Sequence, residues 1–158
     1  MDRPPPFHVV FVCTGNICRS PIAEKVFARA IEQVGLADRV HVSSAGTGPW
    51  HVGGPADDRA AALLSEHGYG ETHVARQIDD ELLGADLLVA LDEGHLRALR
   101  RVAPDPDRVR LLRSFDPAAP PRAGVPDPYY GGPDGFTEVL TMIRAATPGL
   151  LEHVRAQL

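Results

Sequence analysis

Two kinds of apolar pattern alternate along the chain. Phe7 to Val12 is apolar and β-rich throughout apart from His8, and Leu87 to Leu91 is a second unbroken run; both read as parallel strands buried on two faces. Val40 to Ser44 alternates before breaking at Ala45-Gly46-Thr47-Gly48-Pro49, and Val109-Arg110-Leu111-Leu112 is a short mostly apolar run, so two further strands are predicted there. Between the strands the apolar spacing changes to three and four. Ile22, Val26, Phe27, Ala30 and Ile31 share one helical face, with Ser20 as the predicted N-cap, Pro21 in the first helical position and an end near Gly35. Helices are also predicted from Asp57 or Asp58 through His67, stopped by Gly68, and from Glu93 to Val102. Strands alternating with helices call for a parallel α/β sheet.

Beyond the fourth strand the pattern lapses. Phe115 to Gly132 is rich in proline and glycine, and a loop this long inside a compact domain is functional or mobile more often than idle. Phe136, Val139, Leu140, Ile143, Leu150, Leu151 and Val154 then mark a last amphipathic helix that packs back on the sheet, with a kink or break predicted at Pro148-Gly149.

Composition narrows the class. With 158 residues, 44% hydrophobic and 23% charged, residues 1–158 fit one globular domain, with 1–6 expected to be flexible. No apolar stretch approaches the ~18 residues of a membrane span, and Met1 to Pro6 lacks the charged-then-apolar layout of a leader. A soluble, cytoplasmic protein is the expectation, with export by a leaderless route left open. The net charge is −5, and the 16 basic residues, of which only Lys25 is lysine, are scattered rather than gathered in a stripe, which argues against nucleic acid as a partner. Cys13 and Cys18 are the only cysteines, too few for a disulfide framework or a thiolate zinc site. Their clustering points to chemistry or redox sensing.

Candidate chemistry sits between the first strand and the first helix, in Cys13-Thr14-Gly15-Asn16-Ile17-Cys18-Arg19-Ser20. A cysteine attacks only as thiolate, and an unperturbed thiol with pKa ~8.5 is mostly protonated near neutral pH. At a strand-to-helix turn, unpaired backbone N–H groups and the helix dipole face the sulfur and favour its anion, and Arg19 adds a full charge. The same N–H groups form a nest for a phosphoryl group, while the planar fork of Arg19 can clamp two of its oxygens. Gly15 and Asn16 suit a loop that needs unusual backbone angles, including positive φ. Without Gly-Lys-Ser/Thr the segment is not a nucleotide-binding P-loop.

With this motif the sequence resembles the low molecular weight protein tyrosine phosphatases over nearly its whole length. Further matches follow in the family's order: Ser43-Ser44-Ala45-Gly46-Thr47, Trp50, Arg59, His73-Val74-Ala75-Arg76-Gln77, Leu91-Asp92 and Asp127-Pro128-Tyr129-Tyr130-Gly131. The resemblance implies a single doubly wound domain whose four-stranded parallel sheet is flanked by helices on both faces, with the site beyond the carboxyl ends of the strands. It implies Cys13 as the nucleophile, Arg19 as the phosphate clamp and Ser20 as the hydrogen-bond donor that helps the thiolate leave. Cys13, Thr14, Gly15, Asn16, Ile17, Cys18 and Arg19 form the phosphate-binding loop, with Asn16 held by Ser44 and His73. Asp127 is implied as general acid and base, and local chemistry agrees: one carboxyl can protonate the leaving phenolate and then deprotonate water, with Pro126 and Pro128 fixing its backbone. Trp50, Tyr129 and Tyr130 are implied as aromatic walls for a phosphotyrosine ring. The two tyrosines are, by resemblance, also candidates for phosphorylation.

The implied activity is hydrolysis of protein phosphotyrosine by a monomer that needs no metal and no cofactor. Its expected partners are tyrosine-phosphorylated proteins, a tyrosine kinase among them, with phosphate or a similar oxyanion bound in the site. Cys18 is either the redox partner of Cys13 in a reversible disulfide or an inert packed thiol. Among rivals, a thiol-relay arsenate reductase would need further cysteines, and none follows Cys18. In relatives acting on phosphoarginine the position of Ile17 tends to be threonine. A third alternative is a module that binds phosphotyrosine without turnover.

Overall fold

The computed structural model describes residues 5–158; the flexible lead expected over 1–6 lies outside the described residues for 1–4. Four strands, β1 (Phe7–Cys13), β2 (Val40–Gly46), β3 (Leu87–Ala90) and β4 (Val109–Leu111), form one parallel sheet in the order β2-β1-β3-β4. Among the described residues five α-helices accompany them: α1 (Arg19–Gln33), α2 (Asp58–Glu66), α3 (Asp80–Leu83), α4 (Glu93–Val102) and α5 (Pro133–Gln157).

The unbroken apolar run of β1 is explained by burial on two sides. Val9, Phe11 and Cys13 point into a core shared with Ile22, Val26 and Phe27 of α1, Leu64 of α2 and Phe136, Leu140 and Ile143 of α5. Val10 and Val12 point the other way, toward Leu82 of α3, Leu99 of α4 and Val109 of β4. Successive strand residues face opposite sides, so a strand covered by helices on both must be apolar at every position. The edge strand β2, by contrast, is partly open in its first half, with His41 exposed and Val42 and Ser43 half-buried.

Helix ends follow local chemistry. Asp57, Asp79 and Asp92 cap α2, α3 and α4 by accepting backbone N–H bonds from Arg59, Leu82 and His95. Helix α1 stops where Gly35 turns to φ 75°, with Leu36 N–H donating to the Ile31 carbonyl and Gly35 N–H to that of Glu32. The start of α1 differs from expectation. Arg19 already lies in the helix, Cys18 occupies the cap position without a side-chain bond, and Ser20 faces the loop instead.

Of the kink or break predicted at Pro148-Gly149, the break does not occur, for α5 runs through both residues. Proline deprives the Arg144 carbonyl of its helical donor, yet the ridge of Leu140, Ile143, Leu150 and Val154 stays buried. Gly149 is required by packing: a Cβ there would collide with the carbonyl oxygen of Phe115. Residues 116–132 carry no regular structure, yet Val125 N–H bonds the Leu91 carbonyl at 2.8 Å and Arg113 Nη1 the Gly124 carbonyl at 3.0 Å. This loop is thereby tied to the end of β3.

The chain leaves β1 toward β2 on one side and returns to β3 on the other. That reversal opens a crevice at the carboxyl end of β1, where α/β sheets bind ligands.

Candidate active site

Strand β1 delivers Cys13 to this crevice. Its Sγ lies 2.9 Å from Ser20 Oγ, on the second residue of α1, so Ser20 serves the sulfur rather than capping the helix. Asn16 organises the turn between them from a left-handed φ of 58°, the angle anticipated for this loop. Gly15 does not share that angle; what it needs is clearance, because a Cβ would lie 2.9 Å from the ring of His51.

The fully buried side chain of Asn16 makes three bonds. Nδ2 donates to Ser20 Oγ at 2.8 Å and Ser44 Oγ at 3.0 Å, and Oδ1 accepts from Arg76 N–H at 3.0 Å. His73 Nε2 meets the Asn16 carbonyl at 2.7 Å, and burial holds its imidazole below its ordinary pKa although that carbonyl opposes the shift. Ser44 Oγ donates a hydrogen bond to Glu24 Oε1 at 2.7 Å. Sequence reasoning brought Asn16, Ser44 and His73 together; Glu24 it missed, and its place one helical turn beyond Ser20 was the available signal.

Arg19 is 4% exposed. Its Nη1 donates to Asp92 Oδ2 at 2.8 Å and the Val125 carbonyl at 2.9 Å, while Nη2 reaches Thr14 Oγ1 only at 3.4 Å. One edge of the guanidinium is thus anchored, and the other is less fully engaged. Thr14 Oγ1 also meets His95 Nε2 at 2.9 Å, and His95 N–H donates to Asp92 Oδ1, so Arg19, Asp92, His95 and Thr14 form a closed ring. Burial pushes His95 down to about 4 against the pull of Asp92. For Asp92, burial acts to raise the carboxyl, but the His95 N–H and the charges of His95 and Arg19 outweigh it and hold it below its usual range. Of these partners Thr14 stood out in the sequence as a loop residue and Asp92 without a role, while His95 did not.

The cleft above the sulfur has a volume of about 410 Å³ and is lined by the loop, Trp50, His51, Asp127, Tyr129 and Tyr130. Asp127 is 43% exposed at the side chain; its Oδ1 accepts from Tyr129 N–H at 3.0 Å and its Oδ2 stands 3.7 Å from Arg19 Nη2. Tyr129 and Tyr130 meet edge to face at 4.9 Å between centroids, and Tyr130 is 91% exposed. Trp50, 69% exposed, lies across Gly48. His51 is a wall residue that sequence reasoning missed, adjacent to the one tryptophan.

Cys13 and Cys18 are both free thiols. Burial, reinforced by Asp57 and Cys13, pushes the Cys18 thiol up to about 12, so it holds its proton throughout the physiological range. Among the described residues no group of three or more His, Cys, Asp or Glu side chains is placed to hold a metal ion, and no helix is long and apolar enough to cross a membrane.

Comparison with known proteins accords with this geometry. Residues 8–158 match the family model described as low molecular weight phosphotyrosine protein phosphatase. A low molecular weight protein-tyrosine-phosphatase of Streptomyces coelicolor is 58% identical over 156 residues, covering 96% of this chain and 95% of its own. Low molecular weight protein-tyrosine phosphatase A of Mycobacterium tuberculosis is 55% identical over 154 residues, covering 97% and 94%. Among solved structures, a protein tyrosine phosphatase of Entamoeba histolytica with Hepes in its active site superposes with a TM-score of 0.90 at 30% identity, over 96% of this chain and 98% of that one. With a parallel four-stranded sheet, a Cys-to-Arg loop at its switch point and relatives matched almost end to end, the chain belongs to the low molecular weight phosphotyrosine protein phosphatase family.

Proposed function

We propose that this protein tyrosine phosphatase hydrolyses phosphotyrosine in proteins through a cysteinyl-phosphate intermediate. The observation that carries the reading is the convergence of Cys13 Sγ, the Arg19 guanidinium and the Asp127 carboxyl on one cleft with aromatic walls. The phosphoryl group enters the loop between its N–H groups and the less engaged edge of Arg19. The thiolate of Cys13 attacks phosphorus; the S–P bond forms as the P–O bond to tyrosine breaks, and Asp127 delivers its proton to the departing phenolate. Asp127, now a carboxylate, takes a proton from water as that water attacks phosphorus. The S–P bond breaks, the thiolate leaves with Ser20 Oγ donating to it, and inorganic phosphate is released.

Each neighbour has a defined duty in this scheme. Asn16 holds the loop open through Ser44 and His73, and Asp92 orients Arg19. Trp50, Tyr129 and Tyr130 flank the tyrosyl ring, and these aromatic walls favour an aryl phosphate over phosphoserine. Ile17, apolar and at the cleft wall, suits an aryl ring better than phosphoarginine. Tyrosine-phosphorylated proteins are the partners this implies.

An aryl phosphate assay tests the reading. Cys13→Ser is expected to lose activity by a factor on the order of 10⁴ or more, and Asp127→Ala by roughly 10² to 10⁴, worse for poor leaving groups. Equal turnover by wild type and Cys13→Ser would eliminate the scheme and leave a non-covalent route.

A further inference from the structure

The segment from Asp127 to Gly131 has no helix or strand to hold it, yet a side chain from another element grips it. Arg59, in the first turn of α2, donates from Nη2 to the Tyr129 carbonyl and from Nη1 to the Gly131 carbonyl, both at 2.9 Å. Its guanidinium also lies over the Phe136 ring at 4.6 Å from the centroid, at the start of α5. The adjacent edge, which shares Nη2, is fixed by a bidentate pair, Nε to Asp57 Oδ1 at 3.0 Å and Nη2 to Asp57 Oδ2 at 3.1 Å. Asp57 in turn donates its backbone N–H to the carbonyl of Ile17 at 2.9 Å.

These bonds make a continuous path from the phosphate loop to the acid. Ile17 holds Asp57, Asp57 holds Arg59, and Arg59 holds Tyr129, whose N–H donates to Asp127 Oδ1 at 3.0 Å. We propose that Arg59 is a positioning residue for proton transfer: it sets where the Asp127 carboxyl stands relative to the phosphate loop. The inference rests on the reading of Asp127 as general acid. Four hydrogen bonds leave one rigid plane at once, more than the three donors of a lysine ammonium can supply.

The test uses kcat/KM for a series of aryl phosphates from 4-nitrophenyl to phenyl phosphate, because this constant reports the step that expels the phenolate. A poor leaving group depends on the acid and an activated one does not. Arg59→Gln is expected to lose about 10-fold with phenyl phosphate and no more than about 2-fold with 4-nitrophenyl phosphate, a fraction of what a positioned acid contributes. Inhibition by inorganic phosphate is expected to stay within about 2-fold, since the loop that binds it is intact. Should Arg59→Gln not fold, Arg59→Lys carries the same comparison with the same sign. An equal loss across all leaving groups, or no loss, overturns the inference. Asp127→Asn run beside it separates the two readings. If its leaving-group dependence steepens and that of Arg59→Gln does not, the Arg59 inference fails alone; if neither steepens, the acid assignment falls and the inference with it.

Discussion

At the scale of single residues, the buried imidazole of His95 shows how tightly the site is built. Its folded pKa of about 4 lies below the ordinary 6.5, so the unfolded chain binds the proton more readily. The stability tied to neutral His95 is complete above pH 6.5 and is lost as pH falls toward 4, with His73 shifted in the same direction. Between pH 7 and 5 the His95 share is about 2 kcal/mol. Urea unfolding at the two pH values measures it: His95→Asn is expected to lose about 2 kcal/mol less than wild type over that interval, and an unchanged difference would contradict the burial argument. The sequence could announce Cys13, Arg19 and Asn16 because they sit within one turn. It could not announce His95, whose partner Thr14 lies 81 residues away, nor the claim that Cys13 makes on the Ser20 hydroxyl. Ser20-Pro21 satisfies the local rule for a helix start, and a tertiary contact overrides it.

At the scale of elements, what was legible followed from periodicity and caps. The two-sided apolar run of β1 and the Asp57 and Gly35 boundaries are set by neighbours in sequence. Short α3 lacked enough turns to show a period, and Pro148-Gly149 misled because the rule against proline treats a helix in isolation. In α5 the apolar ridge on either side of Pro148 is buried against the sheet and the turn before the long loop, and this packing outweighs one missing hydrogen bond. At Gly149 that packing leaves no room for a side chain. Gly149→Ala drives a methyl group into the Phe115 carbonyl and is expected to destabilise the protein by about 1–3 kcal/mol, although alanine is the better helix former. Thermal unfolding checks it, with aryl phosphate turnover per folded molecule expected to stay at the wild-type level. A stabilised Gly149→Ala would mean that the two elements do not touch as described.

For the whole molecule, the fold gathers at one end of the sheet segments that are remote in sequence: the loop after β1, Thr47 to Trp50 after β2, Asp92 after β3, and the long segment before α5. Helices α1 and α2 present their N-termini to the same end, with Arg19 and Arg59 in their first turns. Alternating strands and helices made this convergence readable from the sequence, while the path of residues 116–132 was not, since proline-rich sequence specifies no register and its ties to Leu91, Arg113 and Arg59 are tertiary. The account as a whole depends on a phosphoryl group passing through sulfur. Acid quenching of Asp127→Ala during turnover of 4-nitrophenyl phosphate, followed by peptide mapping, tests this most directly, because an activated leaving group spares the first step while loss of the base slows the second. The account predicts one phosphoryl group per molecule, carried on Cys13 and absent from Cys13→Ser. Turnover with no phosphoryl group on the quenched protein, or with the group on another side chain, would contradict it.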